Sequence, residues 1–376
     1  MSKIEIIEVK NKKEQKEFVN FPLKLYKDNP YFVPPLYGDE LKIFKSSNIY
    51  NNVTESKFFL AIKDGKVVGR IQAMIQEQYN TIHNEKSCRF TRFDAINDRE
   101  VAKLLFEAAE KWAKEKGMDT IRGPLSFSDL EREGLLIDGF EELSTFEEQY
   151  NYPYYQELIE NCNYKKEVDW LEFQLSKPKE RNLKIKKIAD RVMEANNLHM
   201  VDPNAYSKKD YLNTYKDSFF DCLEESYAEI YQTVPFTEEM KKELISQFLL
   251  ILNNNYLILI CDENEKVVSF GLCFPGIGKA LQKSQGHLYP LALLRLLRAA
   301  KKPDTIDLGL VAVRPEYQAK GVNAIILDKL LDILDRDTVK YCETNLNLED
   351  NVRVISQWKY FETRQHKKRR AYIKKI

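Results

Sequence analysis

The chain has 376 residues, of which 43% are hydrophobic and 31% are charged, so it carries enough apolar material for more than one core. Its 58 basic and 58 acidic residues balance, which gives no overall preference for nucleic acid or for an anionic membrane. Six scattered cysteines without a C-x-x-C pair, and a first stretch without an apolar signal core, predict reduced thiols and a cytoplasmic location. The most apolar segments, 248–260 and 288–300, are too short or too interrupted to predict a transmembrane segment.

The first half of the chain alternates strand and helix patterns. Strands are predicted at 3–10, 57–62, 67–76, 87–95, 119–122 and 168–175, and helices at 12–27, 99–116 and 151–161. Lys63-Asp64-Gly65-Lys66 predicts a tight hairpin, because Asp-Gly supplies the positive φ angles that the turn needs. The turn at 94–98 contains no glycine, so no phosphate site is predicted there. The long connection at 123–164, rich in Gly, Ser, Phe and Tyr, is interpreted as a loop that covers the sheet.

A polar, proline-containing stretch at 177–182 separates the two halves. It predicts a linker between an N-terminal domain at 1–176 and a C-terminal domain at 183–376. Beyond it, helices are predicted at 182–196, 208–225, 238–252 and 291–300, and strands at 198–201, 256–261 and 266–274. The helix at 291–300 is interpreted as a packed helix with a solvated basic edge, and the alternative is a wall for an acyl chain or a lipid-like acceptor.

The most informative stretch is 306–334. Residues 306–313 alternate as a strand that Arg314-Pro315 ends, and 322–334 repeat apolar residues at helical spacing. Between them, Gln318–Ala324 combines a glycine with small residues at a helix start. Because backbone N–H groups are unpaired there and are reinforced by the helix dipole, they can approach a phosphate closely. The stretch therefore predicts a pyrophosphate site.

The residues V-x-P-x-Y-Q-x-x-G-x-N-A in this stretch resemble the acyl-CoA loop of the GNAT (GCN5-related) N-acyltransferases, whose pattern is Q/R-x-x-G-x-G/A. Gln318 and Gly321 fit that pattern, and Asn323 departs from it. The order of strands and helices in the first half is similar to the GNAT order, and G-P-L-S-F-S, G-L-L-I-D-G-F and Y-N-Y-P-Y-Y resemble a bacterial group of tandem GNAT-like proteins. The resemblance implies an α/β (α+β) fold of two tandem GNAT-like units, each a mixed, mostly antiparallel sheet flanked by helices. Only the second unit has an evident CoA loop.

The resemblance also implies the chemistry, which is direct attack of an amine on the thioester of acetyl-CoA or another acyl-CoA, without a metal. The acceptor is expected to be a small-molecule amine or a peptide. Glu343, on a predicted strand at 339–346, is the candidate general base, and Tyr360 is the candidate acid because Trp358 stands where the family often has tyrosine. Asn351 matches the asparagine of the family segment N-x-x-A-x-x-L-Y-x-x-x-G-F. The residues implied to bind the co-substrate are Val311, Ala312, Val313, Gln318, Ala319, Lys320, Gly321, Val322, Asn323, Ala324 and Asn351.

Other kinds of site find little support in the sequence. No H-x-x-x-H, zinc-type Cys/His spacing, G-x-S-x-G or G-x-x-x-x-G-K-S/T pattern is present, so no metal, serine nucleophile or P-loop is predicted. The basic run His366–Arg370 is interpreted as the solvated face of a closing strand, or alternatively as a contact for the 3′-phosphate of CoA. Two further functions stay open: a Fem-type transferase that takes an aminoacyl group from tRNA, and a non-catalytic GNAT-fold binding protein in which Asn323 and Trp358 mark lost chemistry.

Overall fold

The computed structural model of the chain describes residues 3–336 and 338–376. The strands are β1 (Ile4–Glu8), β2 (Thr54–Lys63), β3 (Lys66–Gln76), β4 (Ser87–Ala95), β5 (Thr120–Gly123), β6 (Leu135–Asp138), β7 (Lys165–Ser176), β8 (His199–Met200), β9 (Leu257–Cys261), β10 (Val267–Pro275), β11 (Thr305–Val313), β12 (Tyr341–Thr344), β13 (Asn347–Leu348) and β14 (Glu362–Lys375). The helices are α1 (Lys12–Leu25), α2 (Tyr37–Lys42), α3 (Glu77–His83), α4 (Arg99–Glu115), α5 (Tyr154–Glu160), α6 (Leu183–Ala195), α7 (Lys208–Tyr227), α8 (Glu238–Phe248), α9 (Gly278–Ser284), α10 (Pro290–Lys301), α11 (Asn323–Leu334) and α12 (Val352–Ile355). No helix in the described part of the chain has both the length and the apolar character needed to span a bilayer.

Contacts between residues divide the chain into two compact units. Unit 1 contains the described residues through Leu171, together with Gly278–Leu293 and His366–Ile376, and unit 2 contains Glu172–Ile277 and Leu294–Gln365. Two segments from the second half of the sequence therefore pack with the first half. The contiguous division at 177–182 stays a prediction about domain boundaries.

The sheet of unit 1 has the strand order β1-β2-β3-β4-β5-β14. Neighbouring strands are antiparallel except β4 and β5, which run parallel because α4 connects them. α4 buries Val101, Leu105 and Trp112 on the side that packs against β2 and β3. The predicted helix at 99–116 thus supplies one wall of the core of unit 1.

The N-terminus of α4 is closed by an acidic side chain of its own. The Asp98 carboxylate accepts hydrogen bonds from the N–H groups of Glu100 at 3.0 Å and Val101 at 3.4 Å. It also pairs with Lys63 Nζ at 2.8 Å, and this hydrogen bond lowers the pKa of Asp98 from its usual value. Because these amides already have an anionic acceptor, they are not available to a phosphate.

The interpretation of 123–164 as a covering loop is wrong for part of that segment. β6 pairs antiparallel with β14 and so belongs to the sheet. Asn151 extends this pairing, because its side chain accepts from Leu136 N at 2.8 Å and donates to Leu136 O at 2.9 Å. The remainder contributes α5 and a cluster of tyrosines, in which Tyr26 Oη lies 2.6 Å from Tyr155 Oη.

The interpretation of His366–Arg370 as a solvated face is also wrong. His366, Lys367 and Arg369 are buried. Their neighbours Lys368 and Arg370 each place a nitrogen 2.7 Å from the carboxylate of Asp169, whose side chain is fully buried. Burial alone would raise the pKa of Asp169, but hydrogen bonds from Arg370, Lys368 and Lys166 lower it well below its usual value. This run therefore neutralises charge inside unit 1.

A buried ion pair in unit 1 makes the stability of the protein depend on pH. Arg92 lies at a bulge in β4 with φ of 47° and binds both carboxylate oxygens of Glu40, each at 3.0 Å. Burial by itself would raise the pKa of Glu40, but the Arg92 guanidinium outweighs it and lowers the pKa to about 2. Since the folded-state pKa is depressed, the stabilisation is complete above the ordinary value of 4.5 and is lost as the pH falls toward about 2.

We expect Glu40→Gln to reduce the free energy of unfolding by about 3 kcal/mol at neutral pH, because it leaves a buried guanidinium without its carboxylate. Urea denaturation at several pH values measures this, and the gap between the variant and the native chain should narrow as the pH falls from 4.5 toward about 2. Glu17→Gln, which breaks an exposed pair with Lys24, is the matched control and should change stability little. A gap that stays constant over this pH range would contradict the assignment.

The sheet of unit 2 has the order β7-β12-β11-β10-β9-β8, to which β7 contributes its last residues. Along this order β11 and β12 run parallel, with α11 connecting them, and the other neighbouring strands are antiparallel. Unit 2 thus repeats the arrangement of unit 1, with a run of antiparallel strands followed by a strand-helix-strand crossover. The predicted fold class, in which each unit has a mixed and mostly antiparallel set of strands flanked by helices, is confirmed.

Candidate functional site

The parallel strands of unit 2, β11 and β12, part from each other at Gly309. β11 and β12 pair in parallel from Thr305–Tyr341 to Leu308–Thr344, and β12 then ends. Directly after Leu308, an extra residue in β11 forms a bulge against β10. A side chain at Gly309 would place its Cβ 2.7 Å from the ring of Phe274, so glycine suits this position. Beyond the bulge β11 continues along β10 to Val313, and we call this parting of β11 and β12 the fork.

The amides of Val311 and Val313 point toward the fork. Arg314 N donates to Val268 O at 2.9 Å. This bond shows which residues of β11 are hydrogen-bonded to β10. In such a ladder, residues that bond to the partner strand alternate with residues whose N–H groups point to the other side. Ala312 therefore faces β10, whereas the N–H groups of Val311 and Val313 are directed away from it. Both valines are half-buried.

Two polar side chains at the fork are not among the residues proposed from sequence. Tyr227 Oη, on the last residue of α7, donates to Val311 O at 3.1 Å. Asn345 donates from its backbone N to Leu308 O at 3.0 Å and from Nδ2 to Gly309 O at 3.3 Å. Asn345 shares the predicted strand face of Glu343, which is a signal that could have identified it. Tyr227 lies 84 residues from Val311, so no local pattern connects the two.

The loop between β11 and α11 has the open amides that the sequence predicts. Ala319 and Gly321 adopt φ angles of 65° and 81°. α11 begins at Asn323 without a side-chain cap. In the described part of the chain, the N–H groups of Ala319, Gly321, Val322 and Asn323 have no hydrogen-bond acceptor. Amides that converge at the start of a helix form an anion-binding arrangement, which the helix dipole reinforces.

The side chains of this loop differ in how far they can contribute. Gln318 is exposed and donates from Nε2 to Val313 O at 3.1 Å, which joins the loop to the end of β11. Lys320 is exposed, with Nζ 4.5 Å from the centre of the Tyr317 ring. Val322 and Ala324 are buried, so they can offer a ligand only their backbone. The loop therefore presents amides and one exposed cation, in contrast to the capped N-terminus of α4.

Charged side chains hold both ends of the loop in place. Arg314 is almost completely buried, donates from Nε to Val267 O at 2.7 Å and forms an ion pair with Glu225. At the other end, Arg181 contacts the carboxylates of Asp328 and Asp332 on α11, each at 2.7 Å. These contacts fix the strand end and the helix, so that the loop between them has a defined geometry.

The two proposed proton-transfer residues lie on different elements of unit 2. Glu343 is buried opposite Asp307, one position before the last pair of β11 and β12. Its carboxylate lies within 4.8 Å of that of Glu172. Tyr360 is half-buried in a 3₁₀ turn at Ser356–Tyr360. Their catalytic roles stay predictions.

Trp358 has a structural contact where the family often has tyrosine. Its ring is buried, and Nε1 donates to Asn347 Oδ1 at 3.2 Å. Asn347 in turn donates to Thr344 Oγ1 at 2.9 Å, so this chain of bonds supports the end of β12. Asn351 caps α12 by accepting from Val354 N at 3.3 Å, and its contribution to CoA binding stays a prediction.

Within unit 2, three side chains with metal-ligand atoms come together although their sequence spacing does not reveal it. His199, Cys261 and Glu265 place ligand atoms within 4.8 Å of one another, and His199 Nε2 lies 3.3 Å from Glu265 Oε1. Burial raises the pKa of the Cys261 thiol to about 12.

The region with the fork and the loop also lies within a segment that matches a known family. Residues 216–356 match the acetyltransferase (GNAT) family. The match includes β11, the loop and α11. In sequence, this segment is therefore of the GNAT type, as the resemblance at Gln318 and Gly321 implied.

Comparison with particular proteins extends this finding to the whole chain. The chain is 26% identical to Protein YghO of Escherichia coli (strain K12) over 373 residues, which are 97% of this chain and 94% of that protein. It is 22% identical to the bacterial ceramide synthase of Caulobacter vibrioides over 324 residues, 84% of this chain and 82% of that protein. Among solved structures, a tandem GNAT protein from the clavulanic acid biosynthesis pathway has a TM-score of 0.57 at 11% identity, covering 99% of this chain and 98% of that chain. The fold is that of a tandem GNAT protein, and the family match at 216–356 supports a function of the acyltransferase type.

Proposed function

We propose that the protein is an acyl-CoA-dependent N-acyltransferase that uses the loop of unit 2 to hold the co-substrate. The observation that carries this proposal is the set of four open amides at Ala319, Gly321, Val322 and Asn323. They match the acceptor oxygens of a pyrophosphate in chemistry, and they lie within the segment that belongs to the GNAT family. The exposed ammonium of Lys320 adds a positive charge beside them.

In the proposed reaction, the thioester carbonyl oxygen accepts a hydrogen bond from the N–H of Val311 or Val313 at the fork. This donor stabilises the negative charge that develops on that oxygen as the amine attacks. Glu343 removes a proton from the amine, directly or through water, and the new N–C bond forms as the C–S bond breaks. Tyr360 donates a proton to the departing thiolate. The products are an amide and CoA.

The acceptor that we propose to test first is a long-chain amine. The name of the Caulobacter relative describes synthesis of a ceramide, and a ceramide is an amide of a long-chain amine with a fatty acid. The relative spans most of this chain, so it covers both units. Long-chain acyl-CoA with a long-chain amine is therefore the first pair of substrates in the screen, and acetyl-CoA with short amines and peptides is the second.

Calorimetric titration of the purified chain with acetyl-CoA and with a long-chain acyl-CoA tests the proposal. We expect at least one of them to bind, and we expect an amine-dependent release of free CoA thiol when the acceptor matches. Binding of neither acyl-CoA would refute the proposal. Comparison of the two titrations also measures the preference for acyl chain length.

A non-catalytic binding protein is the second candidate, and Trp358 favours it. The buried indole and its bond to Asn347 occupy the position where the family often has a tyrosine. Such a protein would bind acyl-CoA with the same loop and release no thiol with any amine. The thiol assay therefore separates the two candidates, because both predict the same titration.

A further inference from the structure

α10 presents leucines to solvent on its outer face. Ala292, Leu296 and Ala300 are buried and attach one side of the helix to the protein. On the opposite side Leu291 is 77% exposed and Leu294 is 51% exposed. The other apolar residues that are exposed on this helix and the turn before it are Leu288, Tyr289 and Leu297. Leu291, Leu294 and Leu297 recur every three residues, which places them in one stripe along the helix. We call these five residues and α10 the apolar platform.

The platform lies in a stretch that is strongly basic, although the whole chain is neutral. Between Glu265 and Asp304 the sequence contains no carboxylate side chain. The same stretch contains seven cations: Lys266, Lys279, Lys283, Arg295, Arg298, Lys301 and Lys302. The last four lie on the exposed part of α10 or directly after it. In the described part of the chain none of those four forms an ion pair, so their charges face water.

The leucines and the cations alternate along α10. Leu291 lies in its first turn, Leu294 and Leu297 alternate with Arg295 and Arg298, and Lys301 and Lys302 follow at its end. Long basic side chains can keep their charged ends at the level of phosphate groups while apolar neighbours enter the hydrocarbon boundary. An exposed tyrosine such as Tyr289 also suits the boundary between hydrocarbon and water.

The turn before α10 is held firmly within unit 1. Tyr37 N donates to Gly286 O at 3.0 Å, and Gln282 Nε2 donates to Pro30 O at 2.8 Å and to Phe32 O at 3.0 Å. His287 packs with its ring centre 4.2 Å from that of Tyr37 and 5.0 Å from that of Tyr289. The first turn of the platform is therefore presented by a fixed support.

We propose that the apolar platform docks the protein on the surface of a bilayer that contains anionic phospholipid. The leucines and Tyr289 enter the interface between headgroups and acyl chains, and the four cations contact lipid phosphates. Both parts are needed, because an apolar stripe alone would suit a second copy of the chain and cations alone would suit any polyanion. A protein held in this way lies on the membrane and does not span it, which agrees with the absence of a spanning helix from the described residues.

Co-sedimentation of the full chain with vesicles tests this proposal. One set of vesicles is phosphatidylcholine alone, and the other is phosphatidylcholine mixed with phosphatidylglycerol. We expect at least about tenfold tighter association with the mixed vesicles, reduced by added salt, since each Lys or Arg near an anionic surface contributes to binding. Leu291→Ser with Leu294→Ser, and separately Arg298→Glu with Lys301→Glu, should each weaken that association about tenfold or more.

Matched controls make the same kinds of substitution on exposed helices outside the platform. Ile82→Ser removes an exposed apolar side chain on α3, and Lys103→Glu with Lys111→Glu makes the same change of charge on α4. Both controls should bind mixed vesicles like the native chain. Acyl-CoA titration of every variant should match the native chain, which keeps failure of the membrane proposal distinct from failure of the proposed enzyme function.

Other occupants of the platform give different results. Equal association with both kinds of vesicle, or none with either, overturns the proposal. Self-association that the leucine double variant abolishes, without vesicle binding by the native chain, identifies the platform as an interface between copies and also overturns it. Vesicle binding that is insensitive to the leucine substitutions shows a purely ionic attraction. That result also overturns the proposal.

Discussion

Gly321→Trp is expected to weaken binding of acetyl-CoA by at least about 100-fold. Gly321 has a φ of 81°, a conformation that residues with a side chain rarely adopt, and its Cβ would lie 3.4 Å from Val192. An indole at this position forces the loop to move, so the four open amides no longer keep their positions. Loss of two charge-assisted hydrogen bonds, at roughly 1.5 kcal/mol or more each, corresponds to about two orders of magnitude in the dissociation constant. Isothermal titration calorimetry measures this change.

The control for this substitution must carry the same backbone strain at another place. Gly117 has a φ of 78° at the end of α4, and nothing lies within 4 Å of a Cβ built there. Gly117→Trp should therefore lower stability somewhat and leave the affinity for acetyl-CoA unchanged. Thermal denaturation of both variants shows whether each is folded at the temperature of the titration. A folded Gly321→Trp variant with native affinity would place the co-substrate away from this loop.

A second control concerns the other residue of the loop with a positive φ. Ala319 adopts a φ of 65° although it has a Cβ, which costs conformational energy that glycine avoids. Ala319→Gly should keep all four amides in place and retain binding within a few-fold. The pair of variants thus distinguishes the need for a precise backbone from a general sensitivity of the loop to substitution.

The sequence predicted the parts of this structure that local patterns encode. Asp64-Gly65 marks the hairpin between β2 and β3, and the glycine and small residues after Gln318 mark the loop before α11. In each case a few consecutive residues determine the backbone conformation, so neighbours in sequence are enough. The family motif at Gln318 and Gly321 lies in the same short stretch.

What escaped prediction depends on residues far apart in sequence. Tyr227 approaches Val311 because α7 packs against β11. The basic run at 366–370 is buried because Asp169, about two hundred positions earlier, supplies the opposite charge. A polar alternation identifies a strand but not the partner that covers it. Distant packing also explains why Gly278–Leu293 belongs to unit 1, since Gln282 and Gly286 bind the loop that follows α1.

Glu343→Gln is expected to lower kcat by about 10² to 10⁴-fold, which is the usual contribution of a general base. Glutamine has nearly the volume of glutamate, so the buried position beside Asp307 should stay filled and the variant should fold. The affinity for acyl-CoA should not change, because Glu343 lies on β12 and the amides that bind the co-substrate lie on the loop before α11. Steady-state measurement of amine-dependent thiol release, together with calorimetric titration, measures both quantities.

Glu172→Gln is the informative comparison, because Glu172 is also buried and its carboxylate lies within 4.8 Å of that of Glu343. If Glu343 is the base and Glu172 only shares its surroundings, the Glu172 variant should retain most of the activity. Equal losses of kcat in both variants, with equal losses of stability, would mean that the two carboxylates support the end of the sheet and that the base lies elsewhere. Tyr227 would then be the next residue to replace, since its hydroxyl already contacts the strand at which the thioester is proposed to bind.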